Sequence, residues 1–140
     1  MAIKRKFIRS GKEMHEGKIR YFSDWQLNDE MTGETVLTVK EVVQGNEANL
    51  YLAGNCRNDT YNYIRQELRT LYTADKTIVV HCDEVKYLAN KIMIVLAETL
   101  TGIENLERGS LELRGVSLPV QKDLESIGML NMLVVHKAEE

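Results

Sequence analysis

The sequence predicts a single α/β domain, and three observations carry that prediction. Short β-branched runs alternate with segments whose apolar residues recur at helical spacing. Turn-forming residues mark nearly every change of period. The hydrophobic fraction of 44% supplies a core for 140 residues, a length that buries about two-thirds of its unfolded surface. Read in order from residue 35, the elements run ββαβαβαβ, which calls for a mixed sheet with parallel pairs joined by right-handed crossovers and helices packed on it. An N-terminal strand or arm precedes them.

Within residues 1–34, Ile19, Tyr21, Trp25 and Leu27 share one parity and predict a strand that returns through Asn28–Gly33 to pair with the next segment. Residues 1–18 read either as a further strand or as a tail. Thr35 to Val43 is rich in β-branched residues and reads as a strand. Gln44-Gly45-Asn46 makes a turn, and Ala48 to Ala53 completes a hairpin that ends at Gly54. Asn58 and Asp59 are good cap types for a helix whose stripe is Tyr61, Ile64, Leu68, Leu71 and Tyr72. Lys76 to Cys82 is a compact apolar strand, of the kind buried on both faces. A second helix from Ala89 to about Leu106 turns Ile92, Val95, Leu96, Leu100, Ile103 and Leu106 inward, and Gly109 follows as its stop. Leu111 to Val116 alternates again as a strand. Ser117 then caps a third helix, with Pro119 in the first turn and Gly128 at the end. Met132 to Val135 reads as a short last strand. The division expected is an N-terminal extension, 1–34, and a domain, 35–140.

Composition excludes several classes. No apolar run approaches the ~18 residues of a membrane span, and the N-terminus lacks a signal-peptide core. Cys56 and Cys82 are too few for a disulfide framework and lack CxxC spacing, so free thiols in a cytoplasmic, reducing setting are expected. The formal net charge is −3, but it is unevenly spread: residues 1–20 carry a net of +5 and the remainder −8. A basic end of this kind suits an anionic surface, or a strand that folds back on an acidic body. The second reading needs less, because no nucleic-acid motif accompanies the charges, and no nucleic-acid partner is expected.

Local chemistry is sparse. His81-Cys82-Asp83-Glu84 gathers a base, a thiol and two acids, yet neighbours on a strand point to opposite faces, so a His–Cys dyad is not expected. The spacing also fails as a metal site. No GxGxxG or phosphate-loop pattern is present, so no cofactor is expected. Asn55, Arg57, Asn58 and Asp59 form a polar loop at a strand end, on the same rim as the loop preceding Asn90. Helix capping by Asn58 or Asp59 would account for part of it. Tyr63 falls off its helix's apolar stripe and reads as an exposed contact.

Residues 35–135 resemble a STAS domain, the module of bacterial anti-sigma factor antagonists and of the cytosolic tails of sulfate transporters. The resemblance rests on NLYLAGNCRNDT followed by YNYIRQELRTLY, on KTIVVHCDEVKYLANKIMIVL, and on LELRGVSLPVQKDLESIGMLNML, in that order and spacing. The family's signature is an Asp followed by one or two Ser at the start of the second helix, the first Ser being phosphorylated by a partner anti-sigma kinase. Here Ala89 stands at the Asp, Asn90 at the phosphorylatable Ser and Lys91 beside it. Asn90 has no hydroxyl, so the resemblance implies a family member without the usual switch. Asn90 can cap the free N–H groups of a helix start while staying neutral. Lys91 sets a positive charge where anions are preferred, at about 0.3–1 kcal/mol, as an acidic-partner contact or as a solvated lysine.

The function implied is that of a non-enzymatic, protein-binding regulator of bacterial transcription whose partner is an anti-sigma factor or a serine-kinase-like protein. The contact expected comprises Asn90, Lys91, Asn55, Arg57, Asn58, Asp83 and Glu84, with 83–88 read as a loop. The rival is a structural subunit of a larger assembly, a transport complex or stressosome-like particle, docked through residues 1–18. A homodimer stays open under either reading, and so does a weak nucleotide site near Asn90, since some STAS domains bind nucleotides.

Overall fold

In a computed structural model, residues 2–129 and 134–137 are described. They form one seven-stranded sheet with three helices: β1 (Ile3–His15), β2 (Lys18–Asp29), β3 (Thr35–Gln44), β4 (Glu47–Cys56), α1 (Tyr61–Thr73), β5 (Thr77–Leu88), α2 (Asn90–Leu106), β6 (Ser110–Val116), α3 (Leu118–Ser126) and β7 (Val134–Lys137). The strands lie side by side in chain order, β1 to β7. The first four pair antiparallel through hairpins, and β4, β5, β6 and β7 pair parallel through the helical crossovers. The α/β architecture with a mixed sheet is therefore the one expected. The expected last strand, 132–135, coincides with β7 at Val134 and Val135, and residues 132–133 lie outside the described residues.

Chain order dictates the layering. Each right-handed crossover from a strand to its next neighbour sets its helix on the same face of the sheet. One face of the sheet is thus covered and the other is open. The alternation along the strands agrees: Val39, Leu50, Leu52, Val80 and Leu113 are buried, while their neighbours Lys40, Tyr51 and Arg114 are exposed. The core lies between sheet and helices, with Trp25, Leu27, Leu37, Leu50, Leu68, Ile78, Ile92, Met93, Leu113 and Leu124 as its largest fully enclosed side chains. Gly54, at φ +115°, brings β4 so close to β3 that a Cβ would stand 2.6 Å from the Val36 carbonyl oxygen.

Three local expectations change. First, β5 does not stop at Cys82 but runs on to Leu88, because Ala53, Gly54, Asn55 and Cys56 of β4 continue to pair with it. The segment 83–88 is strand, not loop. Second, neither Asn58 nor Asp59 caps α1. Asn58–Thr60 forms a 3₁₀ turn, Thr60 stands at the cap position, and its hydroxyl donates to the Arg57 carbonyl at 2.7 Å. Third, α2 is preceded by Ala89 at the cap position, so Asn90 is the first helical residue and makes no capping bond. The end of α3 is as expected. Gly128 and Met129 donate to the carbonyls of Glu125 and Leu124, closing the helix in a Schellman motif.

The N-terminal extension joins the sheet through Ile3–His15 and Lys18–Asp29. β1 and β2 form a long hairpin around the two-residue turn Glu16–Gly17, both residues at positive φ. The hairpin is fastened to the body at Arg5. Its guanidinium lies 4.8 Å from the Trp25 ring centre, 4.9 Å from that of Tyr63 on α1 and 5.2 Å from that of Phe7. Tyr63 is accordingly half-buried beneath a cation rather than exposed as a contact. A planar, weakly hydrated guanidinium can stack on several rings at once, which an ammonium cannot. Arg5→Ala is expected to lower unfolding free energy by about 1–2 kcal/mol in chemical denaturation. Arg5→Lys should restore less than half of that. Amide exchange in 3–15 should accelerate in both variants while the protection of β5 stays.

Candidate functional site

At the end of the sheet where the parallel strands finish, β4, the 3₁₀ turn and the start of α2 meet. The Ala89 N–H donates to the Cys56 carbonyl at 2.9 Å, tying the α2 start to the end of β4. Asn55 sits opposite Tyr87, and both are exposed. Asn58 and Asn90 are exposed as well, and among the described residues no side-chain hydrogen bond holds either amide. Ala89 is enclosed and supplies no capping oxygen, so α2 presents its first N–H groups at this rim beside a neutral side chain.

Two of the expected site residues are already occupied within the fold. Arg57 holds Asp59 through two bonds, Nε–Oδ1 at 3.1 Å and Nη2–Oδ2 at 2.5 Å, and this carboxylate raises the Arg57 pKa further. Its Nη2 also lies 3.9 Å from Oδ2 of Asp29. Asp29 is buried and accepts the N–H groups of Met31 and Thr32 at 2.9 and 3.2 Å, which shapes the β2–β3 turn. Arg57 therefore braces two loops. Lys91 places its ammonium 4.6 Å from the centre of the Tyr61 ring, bridging α2 to α1. That contact offsets the unfavourable position of a cation at a helix start.

Asp83 and Glu84 stand elsewhere. Val85, Lys86 and Tyr87 separate Glu84 from Leu88 at the strand end. Asp83 lies in a bulge where the β4–β5 register shifts between Tyr51–His81 and Ala53–Glu84, and Glu84 closes it. The Asp83 carboxylate lies over Gly115 of β6, so close that a Cβ there would fall 2.0 Å from Oδ1. The residues expected to form one surface thus fall into a rim (Asn55, Arg57, Asn58, Asn90, Lys91) and a bulge (Asp83, Glu84).

His81 and Cys82 diverge as strand geometry requires. His81 is on the open face, stacked on Tyr51 with ring centres 4.1 Å apart and planes at 9°, and its Nε2 lies 2.8 Å from Oδ1 of Asn49. Partial burial, the largest influence, lowers its pKa from 6.5. Cys82 is in the core on the other side, and burial pushes its pKa up to about 12, with Asp83 adding to the shift. Cys56 is likewise raised to about 12 by burial. Neither thiol is a nucleophile at neutral pH. Among the described residues, no group of three His, Cys, Asp or Glu side chains is placed to hold a metal ion. Sequence reasoning missed the Tyr51–His81 stack because Lys76–Cys82 reads as a strand buried on both faces, whereas His81 is half-exposed.

The fold has clear relatives among solved structures. The anti-sigma factor antagonist SpoIIAA in its unphosphorylated form shares 15% identity, with a TM-score of 0.58 over 74% of this chain and 90% of that one. An anti-sigma factor antagonist from Mycobacterium paratuberculosis gives 14% identity and a TM-score of 0.60 over 71% and 85%. The Bacillus cell fate determinant SpoIIAA in its phosphorylated form gives 13% and 0.52 over 66% and 84%. No family model matches the chain, and no curated protein matches it. The STAS fold is the one these structures share with it.

Two measurements follow from the site's chemistry. A proton-NMR titration should place the His81 midpoint below 6.5. The unfolded chain binds that proton first as pH falls, so His81 supports stability above about pH 6.5 and loses that support below it. His81→Gln should flatten this part of the stability–pH curve. A thiol reagent should leave the native protein unlabelled over the time in which it labels both cysteines of the denatured chain.

Proposed function

We propose that the chain is a protein-binding regulator of the anti-sigma factor antagonist kind, acting on an anti-sigma factor or a serine-kinase-like protein and lacking the usual phospho-switch. One observation carries the reading. Asn90 is exposed as the first residue of α2, on a STAS fold, with the exposed amides of Asn55 and Asn58 at the same end of the sheet. A serine at such a position would change the local charge by nearly two units when phosphorylated. Asn90 holds the rim in a single, neutral state, equivalent to an unphosphorylated surface. The contact residues are then Asn90, Asn55 and Asn58, with Arg57 and Lys91 shaping the rim from behind. Asp83 and Glu84 join only if the partner reaches down β5 past Lys86. Transcription control, bacterial origin and a cytoplasmic setting belong to this same proposal.

The structural-subunit alternative draws support from one feature, the 13-residue edge strand β1, which offers a docking edge independent of the rim. Asn90→Asp separates the two. A carboxylate at the α2 start is favourable for the helix by about 0.3–1 kcal/mol, so the fold should persist with a slightly higher melting temperature. In affinity capture with wild type and variant side by side, a kinase-like or sigma-associated protein should be retained by wild type and lost by Asn90→Asp. Equal capture of transporter or scaffold components by both would sink the regulator reading.

A further inference from the structure

The basic N-terminal end has a role in the hairpin that the rim does not absorb. Residues 1–20 carry a net charge of +5, and the structure sorts their cations into two kinds. Every arginine is used internally: Arg5 in its three-ring stack, Arg9 in an ion pair with Asp24 at 2.7 Å, and Arg20 in one with Glu13. Lys4, Lys6, Lys12 and Lys18 are all exposed, and none makes a side-chain hydrogen bond or ion pair among the described residues.

Apolar exposure is concentrated in the same hairpin, mostly on the face opposite Lys4, Lys6 and Lys18. Of the twelve large apolar side chains exposed among the described residues, five (Phe7, Ile8, Met14, Ile19 and Tyr21) fall within this hairpin. Ile8 is the bulged residue that shifts the β1–β2 register between Phe7 and Arg9, and Met14 pairs with Ile19 beside the hairpin turn. β1 is also an edge strand, so its outward N–H groups lack a ladder partner.

We propose that the outer edge and tip of the β1–β2 hairpin form a docking surface for an anionic lipid bilayer. Flexible, hydrated ammonium groups suit the diffuse field of anionic headgroups, and a hairpin lying edge-on brings Lys4, Lys6 and Lys18 of one face and Phe7, Met14 and Ile19 of the other to the headgroup–acyl boundary together. Headgroup phosphates can accept from the unpaired edge N–H groups. Among the described residues no helix is long and apolar enough to cross a membrane, so the association is peripheral. The same details disfavour other polyanions. Single-stranded nucleic acid calls for free arginines and open aromatic faces. Here the arginines are paired, Arg5 stacks on Phe7 and Arg9 lies 4.9 Å over Phe22. A second copy pairing through β1 would set lysines against lysines.

The test is co-sedimentation of the full chain with vesicles of phosphatidylcholine alone and of equal parts phosphatidylcholine and phosphatidylglycerol. The wild type should sediment with the anionic vesicles only, and added salt should weaken the binding. Replacing all four lysines by glutamine should reduce partition about ten-fold or more, and replacing them by arginine should retain it. Ile8→Ser with Met14→Ser should lower the fraction that resists salt. All six positions are exposed, so circular dichroism should show an unchanged fold. Absence of binding by folded wild type, equal binding by the glutamine variant, or preference for an oligothymidylate over the vesicles would each overturn the proposal. None of these substitutions touches the Asn90 rim, so failure here leaves the proposed function standing.

Discussion

Strand order is the constraint on which the rest of this structure depends. Because the strands lie side by side in chain order, each right-handed crossover after β4 moves one step further along the sheet and returns over the same face. Three helices therefore cover one side, and a single core forms between them and the sheet. The other side is left to side chains that must tolerate water. It does so with cross-strand pairs, Arg9 with Asp24 and Glu13 with Arg20, and with the Tyr51–His81 stack. Surface ion pairs of this kind contribute little stability. Their effect is to make an open sheet face soluble.

The same order fixes which residues share the rim proposed as the contact. Parallel strands deliver their C-terminal ends to one rim, and β4 and β5 lead from there into α1 and α2. The Ala89–Cys56 hydrogen bond holds the α2 start against the end of β4, so Asn90, Asn55 and Asn58 share that rim by construction. The charged residues nearby serve chiefly inside the fold. Arg57 clamps Asp59 and approaches the buried Asp29, while Lys91 lies over Tyr61. What remains for an outside partner is mostly neutral and amide-rich, which sets the rim apart from the lysine-rich edge at β1.

That edge is joined to the rest of the molecule by stacking as well as by ladder hydrogen bonds. Arg5 reaches across the covered face to Tyr63, so the hairpin and α1 share one cation. Glu67, further along α1, is pushed towards its protonated form by burial and pulled back by Arg5. The acidic body and the basic end thus meet at a few defined contacts, and the lysines stay outside them.

The sequence by itself determined the element order from residue 35 onward and the opposite faces of His81 and Cys82, because these follow from periods of 2 and 3.6 within a short window. It also determined that Asn90 begins a helix and carries no hydroxyl. Only the tertiary structure decided the rest. Strand β5 continues through the polar residues Asp83, Glu84 and Lys86 because β4 lies alongside, and no local pattern reveals a neighbour. Lys91 and Tyr63 read as free contacts because their partners Tyr61 and Arg5 lie on other elements, and Arg57 because only folding sets it between neighbouring Asp59 and the distant Asp29. Arginines and lysines of the first twenty residues are alike in charge, and they were told apart by which of them found an aromatic ring or a carboxylate across the strands. Local periodicity sets which way a side chain points; what it meets there depends on chain segments that folding brings together.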